Sequence, residues 1–242
     1  MITGPILMSG TLLNALSIVA GSLIGVALGR RIPKGLDEQI LKILGVATAL
    51  IAITGIISAM FTVDAGTGAL VSSGGFLLLI SLVVGCVAGE LLRIDTRLNT
   101  FGKQVEDRFG ASGFARGFVS ASLLFPIGAM AVIGPLNDGL TGDISILVLK
   151  STLDLVASII LASTLGIGVL FSIVPLILFQ GSITLLAGVI YPFVSAPLLD
   201  LFSMVGYTIV LCIGINFVAG TNIRVANLLP ALAVPVVYYF II

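Results

Sequence analysis

The chain contains no histidine and only two cysteines, Cys86 and Cys212, both set inside apolar runs. Without imidazoles or a thiolate pair there is no ligand set for a soft transition metal, and the metal chemistry left open is that of hard cations held by oxygens. The cysteines read as small core residues, not as a disulfide framework. Charge is equally scarce. Only 9% of the 242 residues are Asp, Glu, Lys or Arg, where soluble domains carry about 25%. Eleven basic residues balance eleven acidic ones, so bulk charge points to neither nucleic acid nor an acidic partner. The longest polar stretch, 93–116, is too short for an independent soluble domain.

What the chain does have is hydrocarbon. Hydrophobic residues make up 58% of it and the mean hydropathy is +1.27. A surface so apolar is expected to face lipid, and residues 1–242 are read as one integral membrane domain. A spanning helix needs about 20 mostly apolar residues. That ruler gives eight candidates, at about 10–29, 40–61, 70–92, 114–135, 145–165, 168–189, 201–220 and 226–242. The expected class is therefore an all-α polytopic bundle. The N-terminal stretch lacks a basic region and a cleavage site, so a retained first helix is expected.

Orientation follows from the basic residues. Arg30, Arg31, Lys34 and Lys42 lie between the first and second spans, Arg93, Arg97, Lys103, Arg108 and Arg116 between the third and fourth, and Arg224 between the seventh and eighth. With eight spans these loops share one side, expected to be cytoplasmic, and both termini lie outside. Lys150 is the exception, inside the fifth span. In the inner loop, Ile94, Leu98, Phe101, Val105 and Phe109 recur every three or four residues between charges. This is the pattern of an amphipathic helix lying on the membrane surface, over about 94–112.

In lipid, small residues let helices approach. Gly21, Gly25 and Gly29 form such a stripe on the first span, and Ser81, Gly85 and Gly89 form another on the third. They fit close packing within the chain or in a homo-oligomer.

Polar residues inside spans are the candidate site. Lys150 and Asp154 stand four apart on the fifth span and share a helix face with Ser151 and Ser158. A lone charge at mid-membrane costs about 2.5–3.5 kcal/mol on insertion scales, so such residues face a bundle interior or a wet cavity. Gln180-Gly181-Ser182 is expected to break the sixth span where unwound backbone lines a cavity. Asn14 and Asn216 add mid-span polar positions. Asn137, Asp138, Thr141 and Asp143 form an oxygen-rich segment with Gly139 and Gly142 at the external mouth; its oxygens suit a hard cation, but it lacks the spacing of a calcium loop and a plain turn is expected. Glu90 sits beside Arg93 and needs only surface pairing. A faint similarity of Ser17-Ile-Val-Ala-Gly21 to Ile183-Thr-Leu-Leu-Ala-Gly188 suggests inverted three-helix repeats, 10–92 and 168–242, with the fourth and fifth spans as linker.

Several stretches together resemble the YqgA-like family of prokaryotic inner-membrane proteins, a domain of unknown function (DUF554). They are Gly10-Thr-Leu-Leu-Asn14 with Gly21 and Gly25, Gly89-Glu-Leu-Leu-Arg-Ile94, and Gly117-Phe-Val-Ser-Ala-Ser-Leu-Leu-Phe125 through Gly128-Ala-Met130. The likeness continues in Asn137-Asp-Gly-Leu-Thr-Gly-Asp143, Leu149-Lys-Ser-Thr-Leu-Asp154, Gly166-Ile-Gly-Val169, Gln180-Gly181 and Asn227-Leu-Leu-Pro230. The resemblance covers nearly the whole chain and implies a multi-pass membrane protein of transporter type. It makes Met8 the habitual start and Met1–Leu7 an extension. It brings no substrate.

The expectation is a transporter or channel for a small solute, a cation or a proton-coupled metabolite, with Lys150, Asp154, Gln180, Asn14 and Asn216 along the pathway and Asn137, Asp138 and Asp143 at the outer vestibule. The alternative is a non-transporting membrane subunit or assembly factor whose charges only lock helices together. No Ser/His, paired-aspartate or metal-ligand motif points to an enzyme, and no cofactor is expected.

Overall fold

The computed structural model describes residues 8–29, 33, 35–64, 66–109 and 113–241. Arg30, Arg31, Lys34 and the segment 1–7 lie outside them. The described chain is almost wholly helical, because an amide without water must bond within its own segment. Among the described residues, six helices are long and apolar enough to cross a membrane: Ser9–Gly29, Glu38–Met60, Gly75–Leu92, Ser145–Leu165, Gly168–Leu185 and Ala196–Ala219.

In chain order the elements are α1 (Ser9–Gly29), α2 (Leu36–Met60), a hairpin of β1 (Phe61–Val63) and β2 (Leu70–Ser72), α3 (Gly75–Leu92), α4 (Ile94–Phe109) and α5 (Phe114–Leu124). They continue with α6 (Met130–Thr141), α7 (Ser145–Leu165), α8 (Gly168–Phe171), α9 (Ile173–Leu185), α10 (Ala187–Ile190) and α11 (Ala196–Ala219). A 3₁₀ segment, Val225–Leu232, leads into α12 (Ala233–Ile241). Three expectations need correction. The fourth span is not one helix over 114–135 but the pair α5 and α6, parted at 125–129 beside Pro126 and Gly128, the latter at φ 105°. The oxygen-rich segment is not a turn from Asn137. Helix α6 runs on to Thr141, and the turn is confined to 142–144, entered through Gly142 at φ 73°, a left-handed cap that glycine takes freely. Gln180-Gly181 does not break the sixth span, since both lie within α9. The interruptions fall instead at Ser172 and Leu186. The hairpin is an addition, with Asp64 Oδ1 accepting from the Gly66 and Thr67 amides at 3.0 and 2.7 Å and from the Thr67 hydroxyl at 2.8 Å.

The chain forms two compact units, residues 1–41 with 99–194, and residues 42–98 with 195–242. In the first, α1 lies along α7 in parallel. A methyl on Gly10 would meet Leu147, one on Gly21 would meet Ser158 and the Leu155 carbonyl, and ones on Gly25 and Gly29 would meet backbone at Ile159 and Ser163. The order rises together on both helices, so they run the same way. The Gly21, Gly25, Gly29 stripe is thus a seam within the chain, close enough for backbone to touch backbone.

In the second unit, α2 lies against α11 and α3 against the 3₁₀ segment, both antiparallel. Gly45 faces Phe217 while Gly55 faces Tyr207, and Gly85 faces Ala231 while Gly89 faces the Asn227 backbone. Ser81 is fully buried with its hydroxyl donated to the Leu77 carbonyl at 2.7 Å. Glu90 pairs with Arg224 at 2.9 and 3.0 Å, not with Arg93. Buried Asn227 accepts the Asp95 amide at 2.8 Å and so fixes the start of α4.

Candidate functional site

The first unit buries more than its seam. Gly10, Thr11 and Asn14 lie within the first turns of α1, and between them they reach α6, α7 and α9. The Gly10 amide donates to Asp138 Oδ2 of α6 at 3.0 Å. Thr11 Oγ1 lies 3.5 Å from Thr184 Oγ1 of α9, and the Asn14 amide donates to Gln180 Oε1 of α9 at 3.3 Å. Asn14 also hydrogen-bonds Asp154 of α7, whose carboxylate pairs with Lys150 one turn earlier. Thr11, Asn14, Gln180 and Thr184 are essentially inaccessible, and Asp138, Lys150 and Asp154 nearly so.

These contacts make a polar file along the first turns of α1, from Asp138 through the two threonines and two amides to the ion pair. It spans about 6 Å on α1 at 1.5 Å per residue. Ser151, on the face of Lys150, donates to the Leu147 carbonyl at 2.6 Å, and Ser158 donates to the Leu155 carbonyl at 2.9 Å. Both serines satisfy themselves within α7 and leave the ion pair to Asn14. Three atoms of the file have no hydrogen-bond partner among the described residues: Asn14 Oδ1, Asp138 Oδ1 and Gln180 Nε2. Buried polar atoms are nearly always paired, so three orphans in one file are an uncommon concentration.

Lys150, Asp154, Gln180 and Asn14 therefore stand together, and Asp138 joins them. Asn137, half-buried, and Asp143, exposed, do not enter the file. Asp143 instead accepts from the Ser145 amide and hydroxyl at 2.9 and 2.6 Å, which holds its carboxyl below the usual range. Asn216 belongs to the second unit and is not mid-span in role. Three residues before the end of α11, it braces the following loop, bonding the Ile223 amide and carbonyl and the Thr221 hydroxyl at 2.8–2.9 Å. Thr11 and Thr184 are the members that sequence reasoning missed as site residues; their signals were the i, i+3 spacing to Asn14 and the i, i+4 spacing from Gln180. A separate cavity of about 540 Å³ lies at the C-terminal ends of α1 and α7, lined among others by Val26, Glu38, Arg116 and Thr164, and no residue of the file lines it.

No group of three or more Asp, Glu, Cys or His side chains suited to a metal occurs among the described residues. The chemistry the file offers is recognition by neutral oxygens and amides beside one carboxylate and one neutralised pair.

Comparison with known proteins fits this architecture. The chain is 30% identical over 235 residues to the "Uncharacterized membrane protein YdfK" of Bacillus subtilis, covering 97% of each chain. It is 28% identical over 230 residues to the "Uncharacterized protein YqgA" of Escherichia coli, covering 92% of each. No solved structure matches it. The model of the family described as "Protein of unknown function (DUF554)" matches residues 9–240, and the chain therefore belongs to the DUF554 family of membrane proteins.

Proposed function

We propose that this protein moves a small solute, a cation or a proton-coupled metabolite, across the cytoplasmic membrane through the core of its first unit. The observation that carries the reading is the polar file, with orphaned buried atoms on three helices around an intramembrane ion pair. Intramembrane charge and unmatched hydrogen-bonding groups are where bilayer proteins keep substrate and ion pathways.

Helix directions support eight crossings. Parallel α1 and α7 require an odd number of passes between them, met by α2, α3 and the broken pair α5–α6 counted as one. Antiparallel α2 with α11, and α3 with the segment before α12, fit the same count. Both termini then lie outside. The pairings also support inverted repeats. Thr11 meets Thr184 and Asn14 meets Gln180, so α1 and α9 are antiparallel. Within each unit, the members of the first three spans thus pack antiparallel on their counterparts among the last three, the pairing that inverted repeats call for, and such repeats underlie alternating access.

A second reading, a static subunit or assembly factor, draws on the ion pair itself, which is closed within one helix and needs nothing else. Water access separates the two. In a variant lacking the native cysteines Cys86 and Cys212, cysteines at Thr11 and Ser151 should react with a membrane-impermeant thiol reagent from at least one side. Protection of both positions in folded protein would favour the static reading.

A further inference from the structure

Among the described residues, charge in the core of the first unit does not balance. Lys150 and Asp154 neutralise one another. Asp138, 3% exposed, is then the remaining buried charge among the described residues. Its Oδ2 accepts the Gly10 amide, and its Oδ1 accepts nothing among the described residues. The positive end of α1, worth about half an elementary charge, offsets part of that anion and no more.

On α1, Thr11 follows directly on the Gly10 whose amide Asp138 accepts. The Thr184 hydroxyl donates its hydrogen to the Gln180 carbonyl at 3.1 Å, which leaves its lone pairs for its other contact, Thr11 Oγ1 at 3.5 Å. That spacing is beyond the usual hydrogen-bond range. It is close to the roughly 3.4 Å between adjacent corners of an octahedron with oxygens about 2.4 Å from a hard cation. Asn14 Oδ1, fully buried, is a further acceptor without a donor, less than one turn along α1 from Thr11.

We propose that Asp138, Thr11, Thr184 and Asn14 bind a monovalent cation of the size of sodium; the proposal rests on the transport reading of the same core. One carboxylate matches one positive charge. A divalent ion would face a single uncompensated carboxylate where such sites ordinarily supply several, and the chain has no histidine for a transition metal. Bound there, the ion sits at the end of the file that leads to Asp154, so its occupancy bears on the ion pair through Asn14.

The test uses the full-length protein purified in detergent, with sodium, potassium or choline chloride at constant ionic strength. Thermal unfolding and equilibrium binding of radioactive sodium are the two readouts. Sodium should raise the unfolding midpoint saturably, potassium less and choline not at all. Asp138→Asn should abolish both effects. Thr184→Val keeps the shape of the side chain and guards against a folding defect in the first variant. It should weaken sodium binding at least tenfold while unfolding in choline stays close to wild type. Equal midpoints in sodium and choline with no saturable binding would overturn the proposal, as would unchanged affinity in either variant. Stabilisation by acid in place of sodium would identify the ligand as a proton and also overturn it. The labelling test at Thr11 and Ser151 reads water access without reference to sodium, so failure of the ion site and failure of the transport reading are told apart.

Discussion

Replacing Asp154 by alanine strands the ammonium of Lys150. The Lys150 side chain is 6% exposed and that of Asp154 10%, so the freed charge cannot reach bulk water without moving a helix. Breaking one side of a buried pair costs about 3–5 kcal/mol. In a chain of this length each kcal/mol lowers Tm by about 2–4 °C, so Asp154→Ala should melt about 6–20 °C below wild type. Removing both charges in Lys150→Met/Asp154→Ala should bring back most of that loss. The geometry adds an asymmetry: after Lys150→Met the carboxyl keeps its Asn14 hydrogen bond and can take up a proton, whereas the lone ammonium of Asp154→Ala has no such partner. Lys150→Met should therefore cost less than Asp154→Ala. Melting followed by fluorescence-detected size-exclusion chromatography on all four forms gives the double-mutant cycle. A double variant as unstable as the sum of the singles would refute the pairing argument. A stable but transport-inactive double variant would assign the pair to the solute pathway.

Three further outcomes follow from geometry elsewhere. Gly21→Leu should lower Tm markedly, because its Cβ would strike the Leu155 backbone and overpacking costs about 1–3 kcal/mol or more; Gly188→Ala, with nothing within 4 Å, is the control expected to melt with wild type. Hydrogen bonds from Thr67 and Gly66 hold the Asp64 carboxyl below its ordinary 3.8. A depressed carboxylate contributes stability above its unfolded value and loses it as pH falls through the folded one. Protection factors of the hairpin amides, corrected for intrinsic exchange at each pH, should therefore fall below about pH 4, and Asp64→Asn should flatten that dependence. Cysteines at Thr67 and Thr100 should label from opposite faces of the membrane, and labelling from one face would overturn the eight-span topology.

The long helices were legible because length and apolarity alone define them, and α4 because its charges alternate with Ile94, Leu98 and Val105. The glycine stripes were legible as close-approach surfaces, but their partners were not. Nothing local in Gly21 or Gly25 names α7, over 130 residues away in the chain. Lys150 and Asp154 were found together because one helix turn joins them, whereas the links from Asn14 to Gln180 and from Gly10 to Asp138 are tertiary. Two misplaced positions share a cause: Asn137 and Gly181 carry turn or breaker propensities, and in α6 and α9 the need to satisfy backbone amides within the segment overrides them. Asn216 was misplaced in depth, because the loop it braces at the end of α11 is not legible from its own span. The hairpin escaped notice because three-residue strands are too short for alternation to register.

The file along α1 also sets an order of events during synthesis. Asn14 meets Gln180 across 166 residues of chain. At about 5–20 residues per second, translation takes about 8–33 s to bridge that gap. For that interval the first helix sits in the insertion machinery or the bilayer with Thr11 and Asn14 unmatched, waiting for α7 and α9 to emerge. Asp138 of α6 emerges first and can take the Gly10 amide, the glycine seam then closes on α7, and Thr184 and Gln180 of α9 complete the file last. The earliest helix is thus the last to be fully satisfied.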